Sequence, residues 1–119
     1  WEIYPQGFYQ SLKELAPFGL PILISENGIC TQQDGQRWLF IQQHLAQVKR
    51  ALQEGIPVFG YLYWSLLDNF EWADGFGPRF GLVEVDYRSG ERRVRESGER
   101  YAEVCASGEV PLGSQSFVA

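Results

Sequence analysis

Residues 21–28 read P-I-L-I-S-E-N-G, Pro21 to Gly28. Ile22, Leu23 and Ile24 run through Ser25 into a carboxylate, an amide and a glycine. A short apolar run bounded by Pro and Gly predicts a strand buried on both faces. Glu26 falls at the carboxyl end of that strand. In a parallel barrel, ligands and chemistry sit at the carboxyl ends of the strands. Glu26 therefore stands where a rigid element would hold a catalytic group. Taken alone, the stretch favours a plainer role, in which Glu26 caps the next helix or pairs with an Arg.

Upstream, Tyr4-Pro5 opens a helix, since Pro is tolerated in the first turn. Phe8, Leu12 and Leu15 share its apolar face, and Pro17, Gly19 and Pro21 end it. Downstream, Gly28–Gly35 is a polar loop, with Asp34 as a candidate N-cap. Trp38, Ile41, Leu45, Val48 and Leu52 alternate by three and four, which predicts a helix over 36–54. His44 flanks that stripe and is read as packing rather than as a base or ligand. Gly55 suits the position just past the helix, and Pro57 blocks its continuation. Residues 58–65, V-F-G-Y-L-Y-W-S, predict a second strand buried on both faces. Helix, strand, helix, strand with short connections is the alternation of a parallel sheet or barrel.

A long loop over 66–78 follows, carrying Asp68, Glu71 and Trp72. Phe80–Tyr87 and Arg92–Arg95 flank Ser89-Gly90, which signals a hairpin. Ser97–Cys105 predicts a last helix with Tyr101, Val104 and Cys105 on one side, weakened by Gly98. Residues 108–119 are small and polar and are expected to form a tail after a domain of 1–107.

Composition narrows the classes. A chain of 119 residues is one domain at most, and 45% hydrophobic with 15% aromatic content suits a core-forming protein. A net charge of −5 argues against nucleic acid as a partner. No run of 18 apolar residues exists to span a membrane. Cys30 and Cys105 match no metal or redox spacing, so two free thiols in a reducing, cytoplasmic setting are expected. The sequence contains no Met, and the chain is expected to be a piece of something longer.

The two strand ends deliver unusual groups to one face: Glu26 from the first, then Trp64, Asp68, Glu71 and Trp72 from the second. Sugar rings present apolar C–H faces and a rim of hydroxyls. A site for them needs an aromatic platform with carboxylates or amides that accept several hydrogen bonds. The competing reading makes Trp64 barrel core and pairs Glu71 with Arg79 on the surface.

Three motifs decide between these readings. S-E-N-G at 25–28, Y-L-Y-W-S-L-L-D-N-F-E-W at 61–72 and R-F-G-L-V-E-V-D-Y at 79–87 stand in order. Together they resemble the carboxyl-terminal part of glycoside hydrolase family 1, the retaining β-glucosidases and β-galactosidases. W-E-I-Y-P-Q-G-F-Y at 1–9 resembles the stretch before the family's last two barrel strands, and the likeness runs to about Tyr101. The resemblance implies an α/β fold, the last two βα units of a (β/α)8 TIM barrel, incomplete in this chain. It implies that Glu26 is the nucleophile and that Trp64 lies under the glycone ring. It further implies that Glu71 binds the 4- and 6-hydroxyls, with Trp72 as an indole donor beside it and Phe80 as an aromatic lining the same subsite.

The resemblance has departures. The loop over 28–37 is shorter than usual, and Gly75–Pro78 replaces a Gly-aromatic-Ser-Lys run. The tail beyond Cys105 has no counterpart. The acid/base Glu of the N-E-P motif is absent from the chain. A retaining glycosidase needs two carboxyl groups about 5–5.5 Å apart. The expected activity is hydrolysis of terminal β-D-glucosyl, and also β-D-galactosyl, residues of a small glycoside or oligosaccharide by an intact enzyme. That enzyme would include a missing N-terminal barrel segment and need no metal or cofactor. The alternative is a non-catalytic piece, or one half of a split protein. A free-standing carbohydrate-binding module fits poorly, because two strands buried on both faces cannot be satisfied in so small a unit.

Overall fold

The computed structural model describes residues 2–111. Helix α1 spans Pro5–Leu15, strand β1 Ile22–Asn27, helix α2 Asp34–Gln53 and strand β2 Val58–Tyr63. Strands β3 (Val83–Val85) and β4 (Arg92–Val94) and helix α3 (Glu96–Ser107) follow. β1 and β2 pair in parallel, and β3 and β4 form an antiparallel hairpin. The expected helix–strand alternation is present, with β1 running three residues past its apolar run Ile22–Ile24.

α2 ends as Gly55 and Pro57 predict. Gly55 has φ 81°, its N–H bonds Leu52 O at 3.0 Å, and the Ile56 N–H bonds Ala51 O at 3.0 Å. This double closure satisfies carbonyls that the last turn would leave bare. The helix start differs from expectation. Gln33 is the N-cap residue and makes no side-chain cap bond, while Asp34 is already helical and turns its carboxylate to Arg37 and Ser97. Gly98, a poor helix former, has a packing reason. A Cβ there would lie 2.8 Å from the Leu82 carbonyl, so only glycine lets α3 approach so closely.

The core forms two clusters on the helix side of the sheet. Tyr9, Leu12, Ile24, Ala51, Ile56 and Val58 join α1, α2 and the strand starts. Ile29, Trp38, Ile41, Tyr63, Leu82 and Val104 join α2, α3 and the strand ends. Tyr61 touches both. His44 is buried, stacked on Phe40 with Nδ1 at 2.8 Å from the Phe40 carbonyl, and burial lowers its pKa. Its packing role stands. Leu15 and Leu52, expected on apolar faces, are exposed, and so is Cys105 of α3. Both thiols are free.

Burial on both strand faces does not hold in this chain. Leu23 is 46% exposed, Phe59 67% and Leu62 54%. Helices cover one face of a two-stranded sheet, and nothing among the described residues covers the other. The expected tail lies outside the described residues from 112 onward. No described helix is long and apolar enough to cross a membrane.

Candidate active site at the strand ends

Because β1 and β2 are parallel, both carboxyl ends lie at one edge of the sheet. The two strands meet closely there. The Trp64 N–H bonds Asn27 O at 3.0 Å. A Cβ on Gly28 would fall 1.7 Å from the Trp64 carbonyl oxygen, so the residue after Glu26-Asn27 has to be glycine. The structure thus brings Glu26 and Trp64 to adjacent strand ends. Glu26 is exposed, and Trp64 is 36% exposed. The Trp64–Ser65 peptide is cis.

The register around Glu26 is irregular. Ile24 pairs with Tyr61, and the next pair is Asn27 with Tyr63. Ser25 and Glu26 together therefore face only Leu62. Two residues opposite one make a β-bulge, which bends the strand and re-aims its side chains.

After β2 the chain is more ordered than a loop. Leu82 N–H bonds Ser65 O at 2.9 Å, and Asp68 N–H bonds Val83 O at 3.0 Å, which ties 65–68 to the segment before the hairpin. Asp68 is buried and takes five donors. Arg95 gives two at 3.1 and 2.9 Å, Arg79 one at 3.2 Å, and the Gly81 and Val85 N–H groups give 2.9 and 3.4 Å. Burial alone would raise its pKa, but the Arg95 and Gly81 hydrogen bonds and the Arg95 charge outweigh that and hold it below the ordinary value. Asp68 is thus committed to structure. Arg79 pairs with Asp68 and not with Glu71, so the Glu71–Arg79 surface pair of the competing reading does not form.

Glu71 and Trp72 sit on a tight turn, closed by Glu71 N–H to Gly75 O at 2.7 Å and Gly75 N–H to Trp72 O at 3.1 Å. Trp72 is 81% exposed and has φ 46°, the one described non-glycine residue in the left-handed region. Phe70, Phe76 and Tyr87 pack behind the turn, with ring centroids 5.3 and 4.3 Å apart. Phe80 is buried, and its carbonyl accepts the Tyr63 hydroxyl at 3.1 Å. The four substrate-binding candidates thus divide into exposed Trp64 and Trp72, half-buried Glu71 and buried Phe80.

Sequence reasoning missed Arg37. It is fully buried, and it bonds Asp34 at 2.7 Å, Thr31 O at 2.6 Å and Arg79 O at 3.0 Å. It fastens the loop after β1 to the segment before Phe80. A signal was available: Arg37, Ile41 and His44 share one helix face, and an arginine on an apolar face needs buried acceptors. A groove of about 460 Å³ beside the hairpin, lined by residues such as Phe76, Arg79, Tyr87 and Arg93, includes none of the candidates. Among the described residues, no cluster of His, Cys, Asp or Glu could hold a metal.

Residues 1–110 match Glycosyl hydrolase family 1, and the chain belongs to that family. The match runs past Tyr101, where the motif resemblance ended. The chain is 46% identical over 112 residues to a β-galactosidase of Sulfolobus acidocaldarius, with 93% of this chain and 23% of that protein covered. It is 43% identical over 115 residues to β-glucosidase A of Thermotoga maritima, covering 87% and 26%. Among solved structures, the β-glycosidase of Thermosphaera aggregans superposes with a TM-score of 0.89 at 43% identity, covering 93% of this chain and 23% of that one. The Thermotoga maritima β-glucosidase in complex with glucoimidazole gives 0.87 at 39%, covering 92% and 28%. The chain spans about a quarter of the length of the curated relatives it matches. It is an α/β part of the barrel fold of these enzymes.

Proposed function

We propose that residues 1–107 form the last two βα units of a (β/α)8 barrel, with 108–119 as a tail. The whole protein then hydrolyses terminal non-reducing β-D-glucosyl and β-D-galactosyl residues with retention. It acts on small glycosides or oligosaccharides in the cytoplasm. Glu26 attacks the anomeric carbon and forms a glycosyl ester, while a second carboxyl outside this chain protonates the departing aglycone. Water, deprotonated by that same carboxyl, then cleaves the ester. Trp64 and Trp72 offer indole surface to the sugar, Glu71 accepts its hydroxyls, and Phe80 backs the subsite. The observation that carries the reading is that parallel pairing sets Glu26 beside Trp64 at one sheet edge, on the side from which the Glu71–Trp72 turn departs.

The test uses the full-length protein. A 2-deoxy-2-fluoro-β-glucoside should leave a slowly turning-over ester, located on Glu26 by peptide mass spectrometry. Glu26→Gln should lower kcat on nitrophenyl β-glucoside on the order of 10⁴-fold or more with the fold intact. A label on Glu71, or on no residue of this chain, contradicts the assignment.

A further inference from the structure

We infer that Tyr61 and Asn27 form a staple across the β-bulge that holds Ser25 and Glu26, and that this staple aims the Glu26 carboxylate. The inference rests on the reading of Glu26 as nucleophile and adds two positioning residues to it.

Tyr61 pairs with the last residue before the bulge, Ile24, and Asn27 is the first residue to pair after it. The Tyr61 hydroxyl donates to Asn27 Oδ1 at 2.8 Å, so one side-chain bond bridges the two ends of the irregular segment. Within the bulge the ladder gives Ser25 and Glu26 only Leu62 as partner. On the β2 side, what fixes the direction of Glu26 is therefore whatever fixes Asn27. Asn27 is held three ways: by the Tyr61 hydroxyl, by the Trp64 N–H on its carbonyl, and by the adjoining Gly28 pressed beneath the Trp64 carbonyl. Of these, only the tyrosine bond is made by side chains and can be removed without changing the backbone.

Tyr61 is itself firmly seated. It packs against both core clusters, its ring meets Tyr101 edge-on at 6.4 Å, and its carbonyl accepts the Tyr101 hydroxyl at 3.3 Å. Burial raises its pKa, so the hydroxyl stays a donor across the working range of any glycosidase. Neither Tyr61 nor Asn27 needs to touch the sugar. A nucleophile displaced by about 1 Å can cost 10²-fold in rate while the substrate still binds, because approach to the anomeric carbon is the geometry at stake.

The experiment compares full-length protein with Tyr61→Phe, Asn27→Ala and the double variant. Each is treated with 2,4-dinitrophenyl 2-deoxy-2-fluoro-β-glucoside, and the inactivation rate constant, the inactivator's apparent Kd and Tm are measured. Either single change should slow inactivation about 10- to 100-fold with apparent Kd within about twofold. The double variant should be no slower than the slower single, since both remove one bond. If Tyr61→Phe does not fold, Asn27→Ala deletes the same bond from the other side. Inactivation rates within twofold of the parent, with only Tm lowered, overturn the staple and leave Glu26 as nucleophile. A parent label found anywhere but Glu26 overturns both.

Discussion

Trp72 holds a left-handed backbone that costs a bulky residue about 1–2 kcal/mol, and its indole is exposed, so burial does not repay that cost. A strained, exposed aromatic beside a carboxylate suits a residue kept for a ligand. On the proposed reading, Glu71 sets the charge preference of the site. A carboxylate accepts hydrogen bonds from two sugar hydroxyls but sets like charge against a phosphate, and such juxtaposition costs several kcal/mol, on the order of a thousandfold. In the full-length protein, kcat/KM should be far higher for nitrophenyl β-glucoside than for its 6-phosphate, and matched kinetics showing the reverse would sink this reading of Glu71. Which carboxylates are free for such a role was only partly legible in the sequence. Asp68 and Glu71 looked alike there, three residues apart. Only the fold shows that Arg79 and Arg95 engage Asp68 and leave Glu71 on its turn.

At the scale of elements, Asp68 clasps the segment after β2 to the hairpin and to Arg95, which immediately precedes α3. Its pKa is depressed from 3.8, so its stabilisation is fully present above that value and is lost as pH falls through the folded value. Asp68→Asn should destabilise the full-length protein on the order of 3 kcal/mol near neutrality, since it leaves Arg95 without its carboxylate. The Tm gap between parent and variant should stay flat above about pH 5 and narrow below pH 3.8. A gap that widens on acidification would contradict the clasp. The order of elements was readable because Gly55, Pro57 and Ser89-Gly90 act locally on their own backbone. The bulge at Ser25–Glu26 was not, because it exists only in the register with β2. The N-cap assignment to Asp34 failed for a related reason: Arg37 and Ser97, one of them 63 residues away, compete for its carboxylate.

At the scale of the whole molecule, the two-stranded sheet presents Leu23, Phe59 and Leu62 outward and leaves strand edges unpaired, which favours self-association. The expectation of strands buried on both faces came from their apolar side chains, and it does not hold because no layer among the described residues covers the second face. Residues 1–119 expressed alone should therefore self-associate in sedimentation and show no turnover of nitrophenyl β-glucoside. A monomer with a cooperative melt and measurable turnover would refute this. The distribution of bond types has a further consequence. The ion pairs and hydrogen bonds of Asp34, Arg37 and Asp68 described above close within the segment, though the buried Arg37 Nε finds no partner among the described residues, whereas the open face is greasy and makes few demands on geometry. A segment built this way is a natural unit of exchange. Recombination between relatives that swaps it whole keeps these side-chain partners together, while a crossover between Asp34 and Arg37 strands the buried guanidinium in any offspring whose residue 34 carries no carboxylate.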